Sequence, residues 1–74
     1  MLKRFIYFLV RKKLGVKKFE AFRFTNQKSD IDFYYFDNEY LVKCEFNGDL
    51  DSIFKPSGVS LNWLLDDNCE IRKL

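Results

Sequence analysis

The chain has 74 residues and a formal net charge of +2, with 13 Lys and Arg against 11 Asp and Glu. At this length only one small core can form, and nine Phe, four Tyr and one Trp are present to build it. The absence of His removes the usual general base and the commonest metal ligand, so the composition argues against an enzyme and supplies no cofactor or metal site.

Residues 2–14, LKRFIYFLVRKKL, hold a six-residue apolar run between basic residues. The run is too short for a secretory leader and far below the roughly 20 residues of a membrane-spanning helix. At helical spacing Leu2, Phe5, Ile6 and Leu9 share one side, with Arg4 and Arg11 opposite. Gly15 offers a stop, and Arg11, Lys12 and Lys13 suit the last turn. The segment is expected to be a helix covering a sheet; a strand and a basic membrane-surface helix are its rivals.

Residues 17–25, KKFEAFRFT, alternate as an interior strand, with Phe22 and Phe24 on one side and Phe19, Ala21 and Arg23 on the other. The polar connection NQKSD, residues 26–30, is a natural contact loop.

Residues 31–54, IDFYYFDNEYLVKCEFNGDLDSIF, read as a β-meander with two turn signals. A two-residue turn at Asp37-Asn38 opposes Phe33 to Val42, Ile31 to Cys44 and Asp32 to Lys43. The apolar side of that hairpin is then Ile31, Phe33, Tyr35, Tyr40, Val42 and Cys44. A three-residue turn, Asn47-Gly48-Asp49, opposes Phe46 to Leu50, Cys44 to Ser52 and Val42 to Phe54. Pro56 is expected to end the pairing, because it lacks an amide donor. Ser57 or Ser60 then caps a short helix within residues 59–65, with Leu61, Leu64 and Leu65 on one face. The chain closes on a strand, residues 69–73, that turns Cys69 and Ile71 inward and exposes Glu70 and Arg72.

Cys44 and Cys69 lack metal-ligand spacing and read as buried thiols, with a single bridge as the alternative. Reduced thiols and the absence of an accepted leader point to an intracellular, cytoplasmic compartment. Fourteen large rings, each enclosing roughly 150–250 Å² when buried, exceed what so small a core can take, so some are expected at the surface. Trp63 is either a core anchor or a binding hot spot.

The near-neutral total hides a polarised chain. Residues 1–28 carry nine basic side chains against Glu20 alone, a net +8, and residues 29–74 carry a net −6. Interleaved in space, the halves would neutralise each other; kept apart, they could meet charged partners. The segment KKFEAFRF mixes basic and aromatic residues like an RNA-binding strand but lacks the glycines of that motif.

Two strings, FRFTNQKSD (residues 22–30) and PSGVSLNWLLDDNCEI (residues 56–71), resemble segments of small uncharacterised proteins of phages and prophages of Gram-positive bacteria. That resemblance implies no catalytic positions. It implies a context in which compact proteins bind and block a host enzyme or defence nuclease, CRISPR effectors among them.

The expectation is therefore one α+β domain over residues 1–74: an N-terminal helix on a four- to five-stranded antiparallel sheet, with a short helix before the last strand. Its leading function is non-enzymatic binding of a host protein, with charge from Asp32, Asp37, Glu39, Asp49 and Asp51 and anchors from Tyr34 and Tyr40. A nucleic-acid module using Lys12, Lys13, Lys17, Lys18 and Arg23 is the alternative. A structural subunit or homodimer formed by edge pairing is the third reading.

Overall fold

The computed structural model describes residues 2–38, 40–46 and 52–74. Helix α1 (Leu2–Leu14) precedes strands β1 (Phe22–Phe24), β2 (Phe33–Phe36), β3 (Leu41–Phe46) and β4 (Ser52–Pro56). A single helical turn, α2 (Leu61–Leu64), and strand β5 (Ile71–Lys73) complete the fold. The strands form one antiparallel sheet in the order β4-β3-β2-β1-β5, so β1 is an interior strand and β4 and β5 are the edges. This is the expected α+β architecture.

Both helices have the ends their sequences forecast. Gly15 takes φ 73° and donates to the Arg11 and Lys12 carbonyls at 2.8 and 3.3 Å, while Val16 donates to Arg11 at 3.2 Å. This left-handed cap satisfies carbonyls that the helix leaves open, and a side chain at Gly15 would strain it. Ser60 caps α2 by accepting from the Trp63 amide at 3.1 Å. Lys13 reaches across and donates to the Leu64 and Asp66 carbonyls at 3.3 and 2.8 Å, tying the end of α2 to α1.

The core lies on one side of the sheet. Val10 and Val16 pack there on Phe22, Phe24, Tyr34, Phe36, Leu41, Leu64 and Cys69, with Ile6, Tyr7, Leu14 and Trp63 around them. Phe22 is the centre of this layer, with Tyr34 and Phe36 stacked on it at 6.1 and 5.7 Å and Phe24 edge-on at 5.5 Å. Trp63 thus contributes to the core margin.

Two sequence expectations are corrected and a third, that Pro56 ends β4, holds with one refinement. First, α1 turns Ile6, Tyr7 and Val10 inward and leaves Phe5, Phe8 and Leu9 exposed, instead of burying Phe5 and Leu9. FIYFLV is apolar around its whole circumference, so periodicity does not select the face. Second, both hairpin registers are displaced by two residues: Phe33 pairs with Cys44 and Tyr35 with Val42, then Val42 with Pro56 and Cys44 with Phe54. At the first turn Asp37 faces Tyr40, its amide donating to the Tyr40 carbonyl at 3.0 Å while its Oδ1 accepts from the Tyr40 amide at 2.7 Å. The aspartate side chain stands in for a main-chain acceptor, which moves the turn one residue along. The Asn47-Gly48-Asp49 turn itself lies outside the described residues.

Third, Pro56 is the last residue of β4 without being the last to be bonded, since the Ser57 amide still donates to Leu41 at 3.0 Å. Alternation along the strand turns the Pro56 nitrogen to the open edge, where its missing hydrogen removes nothing from the sheet.

Two thiols, Cys44 and Cys69, are free and buried, and burial pushes both up from their ordinary pKa. Thiolate formation is therefore suppressed, and both are expected to react with Ellman's reagent far more slowly in the folded protein than in denaturant. Truncating the central ring, Phe22→Ala, should cost about 3–5 kcal/mol in chemical denaturation, because Phe22 has no exposed surface.

Candidate functional site

A shift of two residues leaves every side chain on its original face, so the expected apolar set Phe33, Tyr35, Val42 and Cys44 still shares one side of the sheet. That side is the one the helices leave uncovered. Tyr34 and Phe36 in β2, not Phe33 and Tyr35, face the core, since FYYF is aromatic on both sides and the chain has helix for only one.

The two sides differ sharply in charge. Described strand positions facing the helices include Lys43, Glu45, Lys55 and Lys73. Those facing away are Arg23, Phe33, Tyr35, Val42, Cys44, Phe46, Ser52, Phe54, Pro56 and Arg72, with no Lys, Asp or Glu among them. On the helix side the charges pair: Glu45 meets Lys43 at 3.1 Å and Lys55 at 3.0 Å, and Asp32 lies 3.9 Å from Lys43. Those lysines, Lys55 first, hold the Glu45 carboxyl below its ordinary pKa.

Rings form the open surface. Tyr35 stands at its centre, with Phe19 at 5.9 Å and Phe54 edge-on at 6.3 Å, while Phe33 meets Phe46 at 6.1 Å. Phe54 is 58% exposed and Phe19 63%. A shallow depression of about 280 Å³ lies over Tyr35, Tyr40, Val42, Phe54 and Pro56, with Asp37 and Lys55 also in its lining. A second, of about 420 Å³, is lined by Phe19, Tyr35, Asp37, Asn38 and Tyr40.

Phe19 is the residue sequence reading missed as a site member. Its φ is 61°, a left-handed conformation that costs a bulky side chain on the order of 1–2 kcal/mol. Its amide donates to the Phe36 carbonyl at 2.8 Å, and Glu20 closes the turn by accepting from the Lys17 amide at 2.9 Å. That turn delays the strand expected over residues 17–25, which starts only at Phe22 and ends at Phe24. An aromatic residue in place of Gly or Asn, with its ring in solvent, is the only sequence trace of this strain.

The expected site residues separate. Asp32 and Tyr34 are each 8% exposed. Asp32 serves the fold: its Oδ1 accepts from the Phe46 amide at 3.1 Å, and its carbonyl accepts from Gln27 at 2.9 Å and Arg23 at 3.1 Å. Tyr34 belongs to the core, edge-on to Phe24 at 4.8 Å. Burial leaves neither with the exposed side chain that a partner anchor needs, which corrects their assignment. Tyr40 and Asp37 do sit at the open face. Glu39, Asp49 and Asp51 lie outside the described residues, so no acidic patch is assembled among those described. The NQKSD loop is braced internally, with Gln27 accepting from the Phe24 amide at 2.9 Å and donating to Ser29 at 2.7 Å.

Of the basic set, Arg23 is on the open face beside Arg72, its direct cross-strand partner. Arg23 donates to the Ile31 and Asp32 carbonyls, whereas Arg72 is exposed and forms no ion pair with a described residue. Lys17 and Lys18 are exposed next to Phe19. Lys13 is spent on α2, and Lys12 sits 5.0 Å over the Phe8 ring on α1. Among the described residues no three His, Cys, Asp or Glu side chains converge on a metal position. No helix of the described residues is long and apolar enough to cross a membrane.

Comparisons with protein-family models, with curated proteins and with solved structures found no match.

Acid should weaken this arrangement. The Lys17 amide first, and then Lys73 at 3.7 Å, lower the Glu20 carboxyl from its ordinary 4.5, as the lysines do for Glu45. Groups with depressed folded pKa contribute fully above the unfolded value and lose that contribution as pH falls through the folded one. Thermal melts should therefore decline as pH drops below about 4.5, and a Glu20→Gln, Glu45→Gln double variant should melt lower at neutral pH with a shallower acid slope.

Proposed function

We propose that this chain is a non-enzymatic recognition protein that binds another protein through the uncovered face of its sheet. One observation carries the reading: outward strand positions hold Phe, Tyr, Val, Pro and Arg and exclude Lys, Asp and Glu, while the charged pairs are confined to the other side. Protein interfaces have this bias, enriched in aromatic residues and Arg and depleted of Lys, Glu and Asp at their centre. A face meant only for solvent would carry the reverse, and so much clustered apolar surface is unusual on a monomer.

Phe54, Tyr35 and Tyr40 act as anchors, replacing Tyr34 in that role, and Asp37 lies on their rim. Blocking of a host protein, a defence nuclease such as a CRISPR effector included, is the role that the resemblance to phage proteins implies. A flat ring-bearing face suits that role because occlusion requires contact area and no chemistry. The nucleic-acid reading draws on Arg23 beside Arg72, but Lys12 and Lys13 are on the helix layer and engaged there.

Capture from a Gram-positive bacterial lysate with immobilised wild type and two variants tests the reading. Phe54→Arg should abolish capture of a dominant protein, with about a 30-fold loss of affinity or more for a hot-spot ring. Lys73→Ala, on the helix side, should leave capture intact. Equal capture by both variants would sink the proposal. So would oligonucleotide binding that falls steeply with salt and is lost in Arg72→Glu, since that behaviour marks phosphate contacts.

A further inference from the structure

The rings around the Tyr35 end of this face do more than offer apolar area. Phe19, Tyr35 and Tyr40 line one depression together with the Asp37 carboxylate and the Asn38 amide. Phe19 and Tyr35 lie 5.9 Å apart with their planes tilted 35°, so the two rings stand side by side in the lining. A ring face carries negative quadrupolar charge, so three rings and a carboxylate give one small basin a single electrostatic sign. Lys17 and Lys18 lie in the chain just before Phe19, yet neither lines the basin.

We propose that this basin is a cation-binding subsite that receives an arginine side chain of the partner protein; the inference rests on the recognition reading above. Four observations favour it over a purely apolar anchor. The neighbouring depression shares Tyr35, Asp37 and Tyr40 but adds Val42, Phe54 and Pro56, which suit an apolar anchor, and Lys55, whose ammonium repels a cation. The basin with Asp37 and Asn38 instead has polar groups at its rim, as a guanidinium needs once its planar face has stacked on a ring. Its open, shallow shape fits a flat group lying on a wall better than a deep aliphatic plug.

The fourth observation is the backbone of Phe19. A left-handed Phe whose ring is exposed gains nothing from the core, and the same turn could be made by Gly without strain. The Phe19 amide, held by the Phe36 carbonyl, and the Lys17–Glu20 turn fix the ring against Tyr35 before any partner arrives. Strain kept at a pre-positioned ring is characteristic of ligand clamps. Asp37 is fixed in the same manner, with its Oδ1 on the Tyr40 amide holding carboxylate and third ring in one unit.

The test uses N-acetylarginine methylamide and its neutral isostere N-acetylcitrulline methylamide, with ring proton shifts of Tyr35 and Tyr40 followed by NMR on the full chain. The arginine probe should shift these signals saturably, and the citrulline probe should bind at least about fivefold more weakly. Asp37→Asn keeps the acceptor for the Tyr40 amide while removing the charge, and should weaken the arginine probe by a similar factor. Phe19→Gly relieves the backbone, so the protein should melt no lower than wild type yet lose the response.

Equal binding of the two probes, or an undiminished arginine response in Phe19→Gly, would overturn the subsite. That failure is distinct from failure of the recognition reading, because Phe54→Arg tests the face outside the basin. Loss of capture in Phe54→Arg with no arginine response leaves the face and removes the subsite. An arginine response without face-dependent capture removes the recognition reading and leaves a cation site on its own.

Discussion

One shortage governs this structure: strands β2, β3 and β4 carry apolar residues on both sides, and the chain has helix for only one side. A 13-residue helix is about 20 Å long, and with one further turn it covers a single layer. Phe22 and its stacked neighbours Tyr34 and Phe36 take that cover and become the core. Tyr35 and Phe54, equally apolar, are left on the outside. The open face is therefore a result of where helix residues run out, and its rings meet one another because there is nothing else to meet.

The same shortage explains the placing of charge. Beyond Leu41, where β3 and β4 pass the margin of the core layer, the helix side of the sheet turns to ions: Asp32, Lys43, Glu45 and Lys55 form a connected row. The more exposed of these pairs, Lys55 with Glu45, contributes little by itself. Together the row makes one side charged and leaves the other to rings. The acid half of the chain thus finds its cations mainly within itself, and only Lys73 with Glu20 joins the two halves among the described ion pairs.

Much of this was legible in the sequence. Gly15, Ser60 and the alternation of FRF, FYYF and LVKCEF placed the helices and strands, since capping and period-2 patterning are local properties. The partition of residues between faces was also legible, and it survived a two-residue error in both hairpins because the period is two. What local pattern cannot contain is which of two similar faces a distant helix will choose; hence sequence alone cannot separate the core ring Tyr34 from the outward Tyr35, nor single out Phe19. The first turn was missed by one residue because the Asp37 side chain replaced a backbone acceptor. On α1 the failure had the same root, an apolar segment with no polar side to orient it.

The proline at the end of β4 has a bearing on how large an assembly this molecule can build. Edge strands normally offer foreign chains a ladder of free amides, the template from which fibrils extend. Of the three β4 positions whose nitrogens point outward, Ser52, Phe54 and Pro56, the last has no hydrogen to give. Lateral growth at that margin meets a missing rung, so this edge is a poor template for the addition of further strands.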